Sequence, residues 1–383
     1  MTSTNTISAV PEDVSRRIRA IRYIGILGVV FCHAVQMPYF FFGGSFLSQG
    51  FAWTDDATVG FLHSLVIYGL FYGAVPMFFV FSGYLQFLKP RAYGETVSRR
   101  LRTLVLPMVL WAALNAAAFF LLKAKAGIVF KPELLLSADW RVWLQAFAGD
   151  HSSAWIQGTH CPTLMYQFWF IRDLFVLVLL SPALEFLMRE WRRGTFFLTV
   201  FGIILAAGYR PVVMGGDALF YFSLGVFFAL HKVDFMALLD RFWNWGSALA
   251  LAVCAVAVMY SRYDGNPDPH TPMWVQLSST LLLMKFSGFI AAAPGFFKIA
   301  DSLDGQAFFV YCAHTPLMFY LCTYAAYRVG CFDATAGAAV VVIAILAMGI
   351  VDAAACTGAG ILLRRFCPGV FALLTGGRKP VAK

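Results

Sequence analysis

The chain has 383 residues, 60% apolar and 13% charged, with mean hydropathy +0.73; soluble domains run about 45–50% apolar and 25% charged, so an ordinary soluble fold is excluded and one polytopic helical membrane domain is expected. The net charge of +9 is read as membrane topology and not as nucleic-acid binding, because no basic stretch alternates with a soluble fold. The 8 cysteines fall mostly inside apolar runs without metal-ligand spacing, which argues against a disulfide or metal framework, and most of the aromatic residues suit lipid-facing surface and interfacial belts.

In chain order, a polar N-terminal stretch containing Arg16 and Arg17 leads into RAIRYIGILGVVFCHAVQM, from Arg19 to Met37. This run is too long for a signal peptide and lacks a small-x-small site, so it reads as a retained span. Arg22 and His33 lie on it eleven residues apart, about three turns and roughly 16 Å of depth along one face. One sits at the water boundary and the other near the bilayer middle. A charge within lipid costs roughly 2.5–3.5 kcal/mol on insertion scales and faces the protein interior or a wet cavity by default. His33 is therefore the first functional candidate.

Ten spans are expected, at 20–42, 72–88, 101–122, 165–187, 195–209, 216–231, 246–260, 272–293, 306–327 and 335–362, with an interfacial or re-entrant helix at 58–70. The flanking tails are 1–18 and 367–383, around a membrane domain at 19–366. Basic residues number 20 on the N-terminal side and 7 on the other, which puts both termini in the cytoplasm of a multi-pass inner-membrane protein. No internal repeat is visible.

Ser82 and Gly83 sit near the cytoplasmic end of the second span, where Gly83 lets a neighbour or a ligand approach closely. Arg99, Arg100 and Arg102 open the third span ahead of Pro107. Three guanidinium groups there fit anionic lipid and topology, or the phosphates of a nucleotide-like ligand gripped by bidentate hydrogen bonds. The outside loop, about 123–164, carries Trp140, Trp143, His151, Trp155 and His160, suited to stacking on sugar rings or, more simply, to an interfacial helix. Arg172 and Asp173 point about 100° apart on a helix and are expected to pair with other helices. His314 precedes Pro316, which frees a carbonyl, and a hydrogen bond to exposed backbone is favoured over ligand binding. Lys285 and Asp352 are expected as an interhelical ion pair.

Six stretches in order resemble the membrane-bound acyltransferase-3 family: Arg22 with His33 in the first span, FFVFSG at 78–83, RRLR leading to Pro107, FWFIRDLFVLVLLSP at 168–182, YFSLGVFFAL at 221–230 and FFVYCAHTPLM at 308–318. Each motif is short and apolar; the signal is their succession. The resemblance implies transfer of an acyl group, usually acetyl, from cytoplasmic acetyl-CoA to a hydroxyl of a glycan beyond the inner membrane. It implies acyl-CoA as co-substrate with no bound cofactor or metal, a glycan or lipid-linked glycan acceptor, contact with membrane lipids, and polysaccharide-assembly proteins as partners. Some members carry a fused extracytoplasmic hydrolase-like domain, for which this chain ends too soon. In this frame His33 takes the hydroxyl proton or carries the acyl group, and Arg22 orients CoA or a carbonyl oxygen, or snorkels. Ser82, Gly83, Arg99, Arg100 and Arg102 bind the donor. Trp169, Arg172, Asp173 and His314 serve the acceptor side or the structure. The rival reading is a transporter or flippase of a lipid-linked glycan, which midplane polar groups and broken helices also fit; a third is a receptor or structural membrane protein.

Overall fold

The computed structural model describes residues 11–41, 56–89, 91–127, 137–148, 164–209, 216–263, 271–333 and 336–377. His151, Trp155 and His160 of the expected outside loop lie outside the described residues, as do the basic residues Lys131, Arg210, Arg378, Lys379 and Lys383. Among the described residues the chain is helical, with no strand. Five helices are long and apolar enough to cross a membrane, and six if the pair Asp217–Leu230 and Phe235–Phe242, bent by 105°, counts as one span.

Helix α1, Glu12–Phe41, begins ahead of the expected start at Arg19, with Glu12 and Asp13 in its first turn, where carboxylates favour the positive end of the helix dipole. Part of the expected tail is therefore helical, and Val14 and Ile18 within it are buried. Helix α2, Ala57–Ser64, is capped by Asp56, whose carboxylate accepts the Thr58 N–H at 2.7 Å. It continues through a wider turn at Leu65–Phe71 to α3, Ala74–Leu88. The extra helix anticipated at 58–70 is thus joined to the second span. Helix α4, Tyr93–Arg100, runs on into α5, Leu106–Ala126, and α6, Trp140–Ala148, follows.

The expected span at 165–187 is broken into α7, Trp169–Leu179, and α8, Ser181–Met188. Pro182 in the first turn of α8 offers no N–H to the Val178 carbonyl, four residues back; the Ser181 hydroxyl donates to that carbonyl instead, at 2.7 Å. Then come α9, Trp191–Ala206; α10, Gly216–Leu230; α11, Phe235–Phe242; α12, Trp245–Ser261; α13, Met273–Ala292; and α14, Pro294–Asp304. The ninth expected span is also broken. Helix α15, Ala307–Ala313, ends in His314–Met318, where Thr315 is extended at φ −142°, ψ 153°, before α16, Phe319–Arg328. Proline disfavours helical geometry at the residue before it, which is Thr315. The long α17, Ala338–Phe366, and the short α18, Pro368–Leu374, complete the chain. Helix α18 is docked, since the Trp111 indole donates to the Leu374 carbonyl at 3.1 Å.

Helices α3 and α10 pack backbone against backbone. A Cβ on Gly225 would lie 2.1 Å from the Val80 carbonyl oxygen, and one on Gly83 2.3 Å from that of Phe222, the backbone approach that small residues permit between membrane helices. Gly83 therefore has a helix, not a ligand, as its close neighbour.

Two expected pairings are corrected. Arg172 binds its sequence neighbour Asp173 at 2.8 Å, because the long guanidinium arm curls round the helix to a fully buried carboxylate that needs a counter-charge. Lys285 pairs at 3.0 Å with Asp240, which also takes Arg17. Asp352 instead accepts the Cys356 thiol at 3.4 Å, one turn along its own helix. Asp240 is partly exposed and Asp352 fully buried, so the cation settles where ionisation is cheaper.

The backbone contact between α3 and α10 generates a stability prediction. Gly225→Leu forces these helices apart and destabilises the fold by at least about 1–3 kcal/mol, seen as a lower detergent melting temperature. Gly358→Ala, where a Cβ meets open space, leaves it near wild type. Equal melting temperatures for both variants would contradict the packing.

Candidate active site

Helix α1 is laid against α17 in antiparallel register. The Tyr23 hydroxyl lies 2.6 Å from the Thr357 hydroxyl, and a Cβ on Gly349 would come within 2.8 Å of the Phe31 ring. Close packing at Gly349 fixes the turn that carries His33. From the other side, the break after α15 brings in His314, fully buried. The two imidazoles meet with His33 Nδ1 2.8 Å from His314 Nε2 and their rings nearly parallel.

The hydrogen bonds fix the proton positions. His314 Nδ1 lies 3.0 Å from the Val310 carbonyl oxygen, a pure acceptor, so that nitrogen carries the hydrogen. In the neutral ring Nε2 is then an acceptor, and His33 Nδ1–H donates to it. The basic lone pair of His33 therefore sits on Nε2, turned away from His314. The expectation for His314, a bond to the backbone that Pro316 exposes, is corrected: its backbone partner is the Val310 carbonyl, one turn back on its own helix. Sequence reasoning did not see that its other nitrogen serves His33.

The shell around this pair was missed as well. Tyr166 sets its ring edge-on to His33 at 4.8 Å between centroids. Gln167 Nε2 donates to the Thr315 carbonyl, exposed by the helix break, at 2.7 Å, and the Tyr311 hydroxyl donates to the Gln167 carbonyl at 2.5 Å. Polar residues bordering otherwise apolar runs, at 166–167 and 311, are the signal that could have found them.

A cavity of about 1160 Å³ ends about one helical turn short of the pair, and neither histidine lines it. On α1 it is lined by Ile18, Arg22, Ile26 and Val29, a stripe at helical spacing whose next turn carries His33. On α15 it reaches Tyr311, three residues before His314, and the rings of these two lie 6.3 Å apart. Its inner part is apolar, with Val75, Phe78 and Phe170; its opposite end holds Arg19, Arg22, Arg100, Lys298 and Arg364 with Asp301 and Asp304. There Arg19 pairs with Asp301 at 2.9 Å and Arg22 with Asp304 at 3.0 Å, a three-residue step on α1 matched by one on α14. Burial raises the Asp304 carboxyl above its ordinary range, against the opposing pull of Arg22.

Of the residues singled out from sequence, Arg22, Ser82 and Arg100 line this cavity, and His33 and His314 meet beside it. Arg99 and Arg102 are exposed and do not line it. Residues 100 and 104 share the face turned inward, whereas 99 and 102 share another. Trp169, Arg172 and Asp173 on α7 do not line it either, although Phe170 between them does. Gly83 is filled by α10.

Over 323 residues, 80% of this chain and 79% of the relative, the sequence is 28% identical to the succinoglycan biosynthesis protein ExoH of Rhizobium meliloti (strain 1021). No solved structure matches the chain. The model of the acyltransferase domain of the acyltransferase-3 family matches residues 16–354, so six short motifs, a histidine pair and the cavity beside it stand in a chain that belongs to the acyltransferase-3 family.

Proposed function

We propose that this acyltransferase moves an acyl group, acetyl foremost, from cytoplasmic acyl-CoA to a hydroxyl of a cell-envelope or secreted polysaccharide, within the inner membrane. The observation that carries the reading is the His33–His314 hydrogen bond beside a cavity with a basic far end. The donor's phosphates stay at the basic end, its pantetheine arm lies along the apolar walls, and the thioester reaches His33. The acceptor enters from the other side. His33 Nε2 takes the hydroxyl proton as the oxygen attacks the thioester carbonyl carbon; the C–S bond then breaks, and the thiolate leaves with that proton as free CoA. His314 holds the reactive tautomer and shares the imidazolium charge, a positioning role in the logic of a hydrolase triad. The relative named for succinoglycan biosynthesis supports a polysaccharide acceptor.

The same reading places both termini in the cytoplasm with ten crossings. Five are the long helices. The other five are α10, α9, α12 and the two broken segments α7–α8 and α15–α16; the second interruption, at His314–Pro316, is buried in protein, where freed backbone groups find partners. An impermeant thiol reagent should modify a cysteine probe at Ser152 from outside, and one at Ser98 only after permeabilisation; the reverse pattern contradicts the orientation.

His33→Ala, inserted and folded, should lower acylation of the envelope glycan at least about 10²-fold, read by mass and NMR of the glycan, and His33→Gln should not restore it. His314→Ala should lower kcat by about 10–100-fold, the cost of losing an orienting partner, while donor Kd holds. Near-normal glycan acylation in His33→Ala would contradict the mechanism.

A further inference from the structure

We infer that the phosphates of the donor are held by Arg100, Lys298 and Arg364, three cations brought together from the α4–α5 junction, α14 and the end of α17. The inference rests on reading the cavity as the donor's. Five cations and two carboxylates stand at its basic end. Arg19 and Arg22 are each matched by an aspartate, which leaves Arg100, Lys298 and Arg364; among the described residues none of these three forms an ion pair.

Their placement suits a ligand with several separated phosphates. Arg100 turns inward on the same face as Leu104, which is buried and also lines the cavity. Lys298 and Ser302, one turn apart on α14, line the same wall. Arg364 approaches Gly305, where a Cβ would lie 3.2 Å from its Nη1, so the absent side chain keeps the guanidinium in the cavity. A nucleotide thioester brings a diphosphate and a ribose phosphate, three anionic groups for three cations. Arginine supplies planar bidentate donors and lysine a point charge. The apolar inner walls leave no comparable cluster deeper in the cavity. Arg19 and Arg22, held by their acidic partners, instead clamp α1 to α14 and steady the helix that carries His33.

Phosphate could also come from an anionic lipid headgroup, so the test uses full-length protein in bilayer discs of neutral or anionic lipid, titrated with CoA and with dephospho-CoA. Lys298→Gln and Arg364→Ala should each weaken CoA binding about tenfold or more in neutral discs. At least one of them should also erase the wild-type preference for CoA over dephospho-CoA. Arg364→Lys should recover part of the loss, which separates lost phosphate contact from misfolding. Arg365→Ala, one residue on and outside the cavity, should bind as wild type, and removal of Arg99 and Arg102 together should cost less than removal of Lys298 and Arg364. Wild-type affinity for CoA in the Lys298 and Arg364 variants would overturn the inference, as would loss of anionic-lipid retention as their only effect. No CoA binding by the wild-type protein would instead overturn the donor reading of the cavity, and this inference with it.

Discussion

The hydrogen bond between His33 and His314 is the constraint on which the rest of the structure depends. One fully buried and one half-buried imidazole need partners for every ring nitrogen that faces protein. Here the Val310 carbonyl, His314 and His33 form one directed chain. It fixes both tautomers and puts the basic lone pair of His33 on Nε2. For that chain to exist, α15 must end where it does: a straight helix through Thr315 would satisfy the backbone within itself and would leave no Thr315 carbonyl for Gln167. The kink is thus part of the site, positioned by Pro316 and supported by Gln167 and Tyr311.

Packing and charge divide the work of holding α1. Along its length, α17 meets it through Gly349 and the Tyr23–Thr357 contact. At the cytoplasmic end of the proposed topology, Arg16 donates to the Ala291 carbonyl at 2.8 Å and stands over the Phe297 ring, while Arg17, Arg19 and Arg22 reach Asp240, Asp301 and Asp304. Partly exposed ion pairs contribute only about 0–1 kcal/mol each, so they add register more than stability. Four arginines bonded to three different helices fix the rotation of α1, and with it the direction of His33.

The helical positions were legible because hydropathy is a local property. Helices occur at all ten expected places, although among the described residues only five, or six counting one bent pair, are long and apolar enough to cross a membrane, and the breaks at Pro182 and Pro316 interrupt spans expected to be continuous. His33 and Arg22 were legible for a similar reason: an ionisable group in an apolar run is conspicuous. The pairings were not legible. His33 and His314 are 281 residues apart, and no periodicity announces that two such helices meet. The partners of Arg172, Lys285 and Asp352 depended on burial and on the reach of a side chain around its own helix. The three arginines at 99, 100 and 102 looked equivalent in sequence, yet one helix cannot turn all three to the same cavity. Lys298 and Arg364, weighed only as topological charges, became notable through what their neighbours left unpaired.

The most direct test uses purified protein in bilayer discs with acyl-CoA and a glycan acceptor, following free thiol and ester together in time. The account predicts CoA release in step with O-acylation of the acceptor, dependent on that acceptor, and lost when His33 is replaced by alanine although donor still binds. Movement of the glycan across the bilayer without thioester consumption, or equal CoA release by the His33 variant, would contradict it.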